Sequence, residues 1–151
     1  MTTDFQVPRI IAEKADDRKG TFTIEPWENV LLSDVMCVEP LPGDVAHPAY
    51  LFHAPLAGVG MRIADMFALF KAESDEAVRA GEYHWEIRQP LRVGRTYRMS
   101  GGVVGMERKE SRKLGFMDVA EFRIDVHDAE TGEHVASTTS SWLLIRGGSS
   151  S

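Results

Sequence analysis

The sequence predicts an α+β domain in which a strongly curved antiparallel sheet wraps one long central helix. Three observations carry this reading. Residues 58–78, GVGMRIADMFALFKAESDEAV, place Met61, Ala64 and Ala68, and Ile63, Phe67 and Phe70, at helical spacing, with Met66 and Leu69 on other sides. A helix apolar on nearly every side is wrapped by protein rather than laid on a surface. Everything after Gly81 reads as long β-strands. Finally, 151 residues with 43% hydrophobic side chains and no linker make one domain over 1–146, with GGSSS at 147–151 as a disordered tail.

The elements follow in chain order. ADDRKG at 15–20 reads as an exposed turn closing a short amphipathic opening. TFTIEPW at 21–27 alternates as a strand does, with Pro26 ending it. VLLSDVMCV at 30–38 fits a strand or a helix, and its length does not arbitrate. EPLPGDVAHP at 39–48 holds three prolines and a glycine, so it is a loop. After the central helix, Ser74 caps a short helical piece at 75–80. EYHWEIRQP at 82–90 is a strand stopped by Pro90. The next strand, 92–110, bends near Gly101 and Gly102. In 114–130 the apolar phase changes between Val119 and Phe122, which predicts a bulge there. ETGEH makes a tight turn, and 134–146 is the last strand.

Composition narrows the functional classes. No run of 18 uncharged apolar residues predicts a membrane span, and MTTDFQVPRI lacks the features of a secretory signal, so the expected location is cytoplasmic. The single cysteine, Cys37, allows no internal disulfide and reads as a buried small hydrophobe. No H-x-x-x-H or paired-cysteine pattern points to a metal. The net charge of -6 disfavours nucleic acid, yet it is unevenly spread. Residues 1–80 carry 13 acidic and 7 basic side chains, whereas 86–113 carry 3 and 8. That basic hairpin is either ordinary surface charge or a local field for an anionic group. A sheet wrapped on one helix leaves an edge or face open, so a second subunit completes it.

Four segments resemble one superfamily. QPLRVGRTYRM at 89–99 is similar to a strand-turn-strand segment "RPL-x-VGDTL", and residues 105–126 resemble its long central hairpin. DAETGEHVASTTSSWLLIR at 128–146 resembles the closing hairpin with its "G-E-x-V-A" step, and HAPLAGVGMRIADMFALF at 53–70 resembles the way into the central helix. Together, over roughly residues 40–146, they resemble the hot-dog fold, within it the MaoC-like or FAS1-like acyl dehydratases. The resemblance implies reversible hydration of a 2-enoyl thioester to a 3-hydroxyacyl thioester. Coenzyme A or the phosphopantetheine of an acyl carrier protein would be part of the substrate, with no separate cofactor. It leaves open an acyl-CoA thioesterase, or a non-catalytic subunit or ligand-binding protein completing a heteromeric dehydratase. The superfamily's activity motif is D-x-N-P-x-H. Here GDVAHPAY at 43–50 matches at Pro48, aligns Asp44 only with a one-residue insertion, and carries Tyr50 where the catalytic His stands. Only Leu51 to Ala54 separate it from Pro55, where the superfamily has a longer segment. Tyrosine in that place resembles the non-catalytic halves of these enzymes and raises the chance of a heteromer whose other chain supplies the catalytic His, with both a homodimer and a heterodimer left open.

Hydration of a conjugated thioester needs a base for water, an acid for the α-carbon and donors on the carbonyl. Asp44, His47 and His53 cluster in one loop, where Asp44 or His47 positions water and His53 gives the proton. Backbone N–H groups of Gly58 and Gly60, at the expected helix start, receive the thioester oxygen. The alternative is that Asp44 makes a turn and both histidines are peripheral. Asp65 either pairs with Arg62 three residues away or, as in one hot-dog thioesterase group, serves as base or nucleophile. Arg108, Lys109, Arg112 and Lys113 are the expected contacts for the carrier phosphate. His84, His127 and His134 read as surface groups, and Trp142 as core or dimer seam.

Overall fold

The computed structural model describes residues 20–60, 62–72 and 74–147. The opening before Gly20, Met61 of the helical periodicity and the tail beyond Gly147 lie outside them. Five strands, β1 (Thr21–Thr23), β2 (Val78–Ile87), β3 (Thr96–Ser111), β4 (Gly115–Asp128) and β5 (His134–Gly147), form one antiparallel sheet in the order β1-β3-β4-β5-β2. Three helices accompany it: α1 (Pro26–Val35), α2 (Tyr50–Gly58) and α3 (Ile63–Leu69).

The single long central helix is not present. α2 ends at Gly58, Gly60 takes a left-handed φ of +74°, and α3 begins only after Arg62. The restart is local chemistry. Arg62 is extended, and the carboxylate of Asp65 at the third helical position accepts the Arg62 N–H at 3.3 Å, one half of a capping box at the N-terminus of α3. Lys71, at φ +53°, closes the segment, and only a 3₁₀ turn at Asp75–Ala77 precedes β2. In return α2 begins earlier than the sequence suggests and continues through Pro55.

The N-terminal half differs for a related reason. Only three residues of 21–27 pair as a strand, and Pro26 opens α1 instead of closing β1. Proline suits the first helical turn because its missing N–H would have no partner there. Residues 30–38 resolve to the helical alternative, and Cys37, at φ +57°, is exposed rather than buried.

The C-terminal strands agree closely with the alternation. Gly132 takes the expected positive φ of +77°. The bulge in β3 falls between Val103 and Gly105, whereas β4 is regular opposite β5 across 119–122. The expected phase break in β4 is absent because Asp118 and Ala120 occupy the buried phase ahead of Phe122, Ile124 and Val126.

Helices and sheet meet on one core. α2 lies on β1, β3, β4 and β5. Phe67 and Phe70 bring α3 onto the sheet edge-to-face against Trp142 and Phe122, with centroids 5.7 and 6.4 Å apart. Trp142 is thus a core residue, and its Nε1 donates to Ser140 Oγ at 2.9 Å. Among the described residues no helix is long and apolar enough to cross a membrane.

Candidate functional site

Residues 44–46 form a bridge with 91–93. The Val93 N–H donates to the Asp44 carbonyl at 2.7 Å and the Ala46 N–H to the Leu91 carbonyl at 2.8 Å. This brings the Asp44 carboxylate to Arg92, whose Nη1 donates to it. Asp44 is exposed there.

His47 is held more deeply. Its N–H donates to Asn29 Oδ1 of α1 at 3.0 Å, and its Nδ1 accepts the Ala49 N–H at 3.0 Å. With Nδ1 accepting, a neutral ring carries its proton on Nε2, which makes His47 a donor at that atom. His53 is on the exposed side of α2, edge-on to Phe22 at 5.6 Å between centroids. The three expected groups thus have different partners: Asp44 the Arg92 guanidinium, His47 the Asn29 amide through its N–H and the Ala49 N–H through its ring, and His53 the Phe22 ring.

Gly58 closes α2 rather than opening a helix, and it is buried where a Cβ would meet Met99 Cγ at 2.7 Å. Gly60 lies in the connection to α3. Asp65 accepts Arg62 Nε at 3.1 Å and the Arg62 N–H at 3.3 Å on Oδ2, and Arg62 Nη2 at 3.1 Å on Oδ1. Between α2 and α3 a shallow apolar depression of about 10 Å³, room for about one water, is lined by Leu56, Val59, Ile63, Met66 and Phe122, with Arg62 as its charged member.

The basic hairpin stands at the far end of β3. Arg108 is twelve residues beyond Thr96, a contour of roughly 40 Å at about 3.3 Å per residue. Arg108 donates twice to the buried Asp118, at 2.8 and 3.1 Å, and lies 5.8 Å from the Phe116 ring centroid. Lys109 pairs with Glu107 at 3.8 Å, while Arg112 and Lys113 are exposed at the turn. Among the described residues no group of three His, Cys, Asp or Glu side chains is placed to hold a metal ion.

A polar seam that the sequence reading passed over lies beside His47. α1 turns Asn29 and Ser33 inward and Trp27, Val30, Leu31 and Val35 outward. Tyr50, which opens α2, is buried with its ring 6.3 Å from that of Phe22 in β1. Burial first, and the Glu28 charge second, push the Tyr50 phenol up to about 12. The signal was present as two i, i+4 rows: Asn29 with Ser33, and Trp27 with Leu31 and then Val35.

No protein-family model and no curated protein matches the sequence. Solved structures do match. The chain is similar to one in the ChsH1-ChsH2 complex from Mycobacterium tuberculosis, at 17% identity and a TM-score of 0.64, covering 93% of this chain and 94% of that one. It is similar to one in the HadBC (3R-hydroxyacyl-ACP dehydratase) complex from the same organism, at 12% identity and 0.57, covering 82% and 89%. It is also similar to a hypothetical thioesterase from Streptococcus pneumoniae solved with coenzyme A, at 12% identity and 0.52, covering 87% and 84%. At these identities the likeness establishes architecture and leaves the reaction to the site. The fold of this chain is the hot-dog fold that these structures share.

Proposed function

We propose that the chain is one subunit of an acyl-thioester-processing hot-dog enzyme. The reaction is hydration or dehydration of a 2-enoyl/3-hydroxyacyl group on coenzyme A or acyl carrier protein, and a second hot-dog chain supplies the general base. One observation carries the division of labour. Both carboxylates that this chain offers for activating water are engaged by its own arginines, Asp44 by Arg92 and Asp65 by Arg62. Tyr50, in place of a catalytic imidazole, is a phenol held protonated at neutral pH.

What remains suits binding. The lining of the small depression between α2 and α3 is apolar, and His47 Nε2 offers a donor. Two of the similar folds come from structures described as complexes, one of them a dehydratase. The basic hairpin, at the opposite end of β3 from the 44–53 loop, serves a carrier phosphate reaching from the partner's site rather than from its own.

The test is to incubate the pure chain with short and medium 2-enoyl-CoAs and follow enoyl absorbance and free thiol together. The proposal expects neither to change at a catalytic rate. Loss of absorbance without thiol assigns a self-sufficient hydratase, and thiol release abolished by Asp65→Asn assigns a thioesterase.

A further inference from the structure

Among the described residues nothing covers the outward face of α1. Trp27, Leu31 and Val35 recur four residues apart, with Val30 beside Leu31 and Met36 just after. All five are exposed, Trp27 by 63% and Val35 by 76%. Seven of the thirteen exposed large apolar side chains among the described residues fall within 27–41. A monomer rarely leaves so concentrated an apolar patch in water, which marks this face as an interaction surface. Its rim is acidic: residues 20–60 contain five Asp or Glu and no Lys or Arg. Glu25, Asp34 and Glu39 are exposed there and form no ion pair among the described residues.

The complementary surface stands at the other end of the same sheet. Ile24, which leads into α1, is tied to the start of β3: its N–H donates to the Arg95 carbonyl at 3.1 Å, and the Gly94 N–H donates to its carbonyl at 2.7 Å. The turn at the far end of β3 carries Arg112, Lys113 and Leu114, all exposed. Neither cation forms an ion pair among the described residues, whereas Arg108 and Lys109 are engaged by Asp118 and Glu107. Within one chain the two surfaces leave each other uncovered. We infer that α1 of one copy receives the β3–β4 turn of a second copy. Leu114 packs on Trp27, Leu31 and Val35, while Arg112 and Lys113 meet Glu25 and Asp34. A two-fold axis makes this contact twice and closes a dimer. Opposite charges at the rim set the register, and they disfavour α1 packed on α1, which would bring acid to acid. The inference is independent of the acyl-thioester reading.

The experiment treats a mixture of unlabelled and isotope-labelled full-length chain with a carbodiimide, which joins an amine to a carboxylate, and reads the cross-linked peptides by mass spectrometry. Cross-links from Lys113 to Glu25 or Asp34 that combine one labelled and one unlabelled peptide are expected. In sedimentation, Leu31→Lys, Arg112→Glu with Lys113→Glu, and Glu25→Lys with Asp34→Lys each raise the dissociation constant about tenfold, with circular dichroism unchanged. A chain carrying all four charge reversals regains the wild-type value. Lys113 cross-links confined to one label, or four reversals that associate no better than either pair, overturn the inference. A monomer at every concentration does so too. Association weakened by Trp85→Lys with Ile87→Lys but not by Leu31→Lys overturns it and leaves β2 as the seam. An unchanged dissociation constant with coenzyme A binding lost on reversal of Arg112 and Lys113 also overturns it, assigning the turn to a carrier phosphate.

Discussion

Arg146 joins the buried carboxylate of Asp118 to the end of α3. Its Nε donates to Asp118 Oδ2 at 2.8 Å, Nη2 donates to the Phe70 carbonyl at 2.7 Å, and Nη1 donates to the Lys71 carbonyl. One guanidinium therefore satisfies carbonyls at a helix C-terminus and neutralises a carboxylate in the middle of the sheet.

Removing that carboxylate strands Arg146, which is mostly buried. Asp118→Asn is expected to cost about 3 kcal/mol in urea unfolding. Burial pushes the Asp118 carboxyl up, but the hydrogen bonds and charges of Arg108 and Arg146 outweigh it and hold the group below its ordinary 3.8. The unfolded chain then takes up the proton first. The contribution is present above 3.8 and lost as pH falls through the lower folded value. Wild type loses stability in that acid window more steeply than Asp118→Asn.

His127 stacks on His134 across the sheet, with centroids 4.9 Å apart. Burial first, then the neighbouring His134 and Arg98 charges, lower its pKa below 6.5, against an opposing pull from Asp125. The neutral ring is favoured in the fold, so its contribution is complete above 6.5 and declines as pH drops toward the folded value. His127→Gln should flatten the urea midpoint against pH below 6.5 and leave it nearly unchanged at pH 8.

By accepting the Arg62 N–H and guanidinium at the start of α3, Asp65 is a structural residue of that helix. Asp65→Asn is expected to cost about 1 kcal/mol, and Arg62→Ala in the same background should add little further. A double-mutant cycle in urea checks this. Additive losses would show that the pair contributes no coupling.

β2 is bonded to β5 on one side only and presents Trp85 and Ile87, 37% and 48% exposed, on the outermost strand. An edge of this kind is a template for pairing with another chain. Sedimentation at micromolar concentration should give a mass above the 16.8 kDa monomer. Trp85→Lys with Ile87→Lys should weaken association while changing monomer stability by about 0.5 kcal/mol or less.

β4 and most of β5 were legible because one face is buried and alternation records it, whereas β2 is exposed along nearly all its length. In β4 even Asp118 keeps the buried phase, and it broke the reading only because its neutralising partners, Arg108 and Arg146, come from other strands. Helix breaks were less legible. Apolar spacing runs on from Gly58 to Phe70, while the break depends on a positive φ at Gly60 and on the Arg62 N–H bonded to the Asp65 carboxylate. α1 was ambiguous for the opposite reason: its apolar residues Trp27, Leu31 and Val35 face out and its polar residues Asn29 and Ser33 face in. The candidate groups Asp44, His47 and His53 read as one loop, but sequence proximity did not reveal that His53 lies in α2 or that their partners are Arg92, Asn29 and Phe22.

The central claim is that this chain binds an acyl thioester without carrying a base of its own to transform it. The most direct measurement is calorimetric titration of butenoyl-CoA into the purified chain, with the enoyl absorbance and free thiol of the same sample read at saturation. The account predicts saturable binding with both signals constant. Turnover by the chain alone, lost in Asp44→Asn or Asp65→Asn, would contradict it.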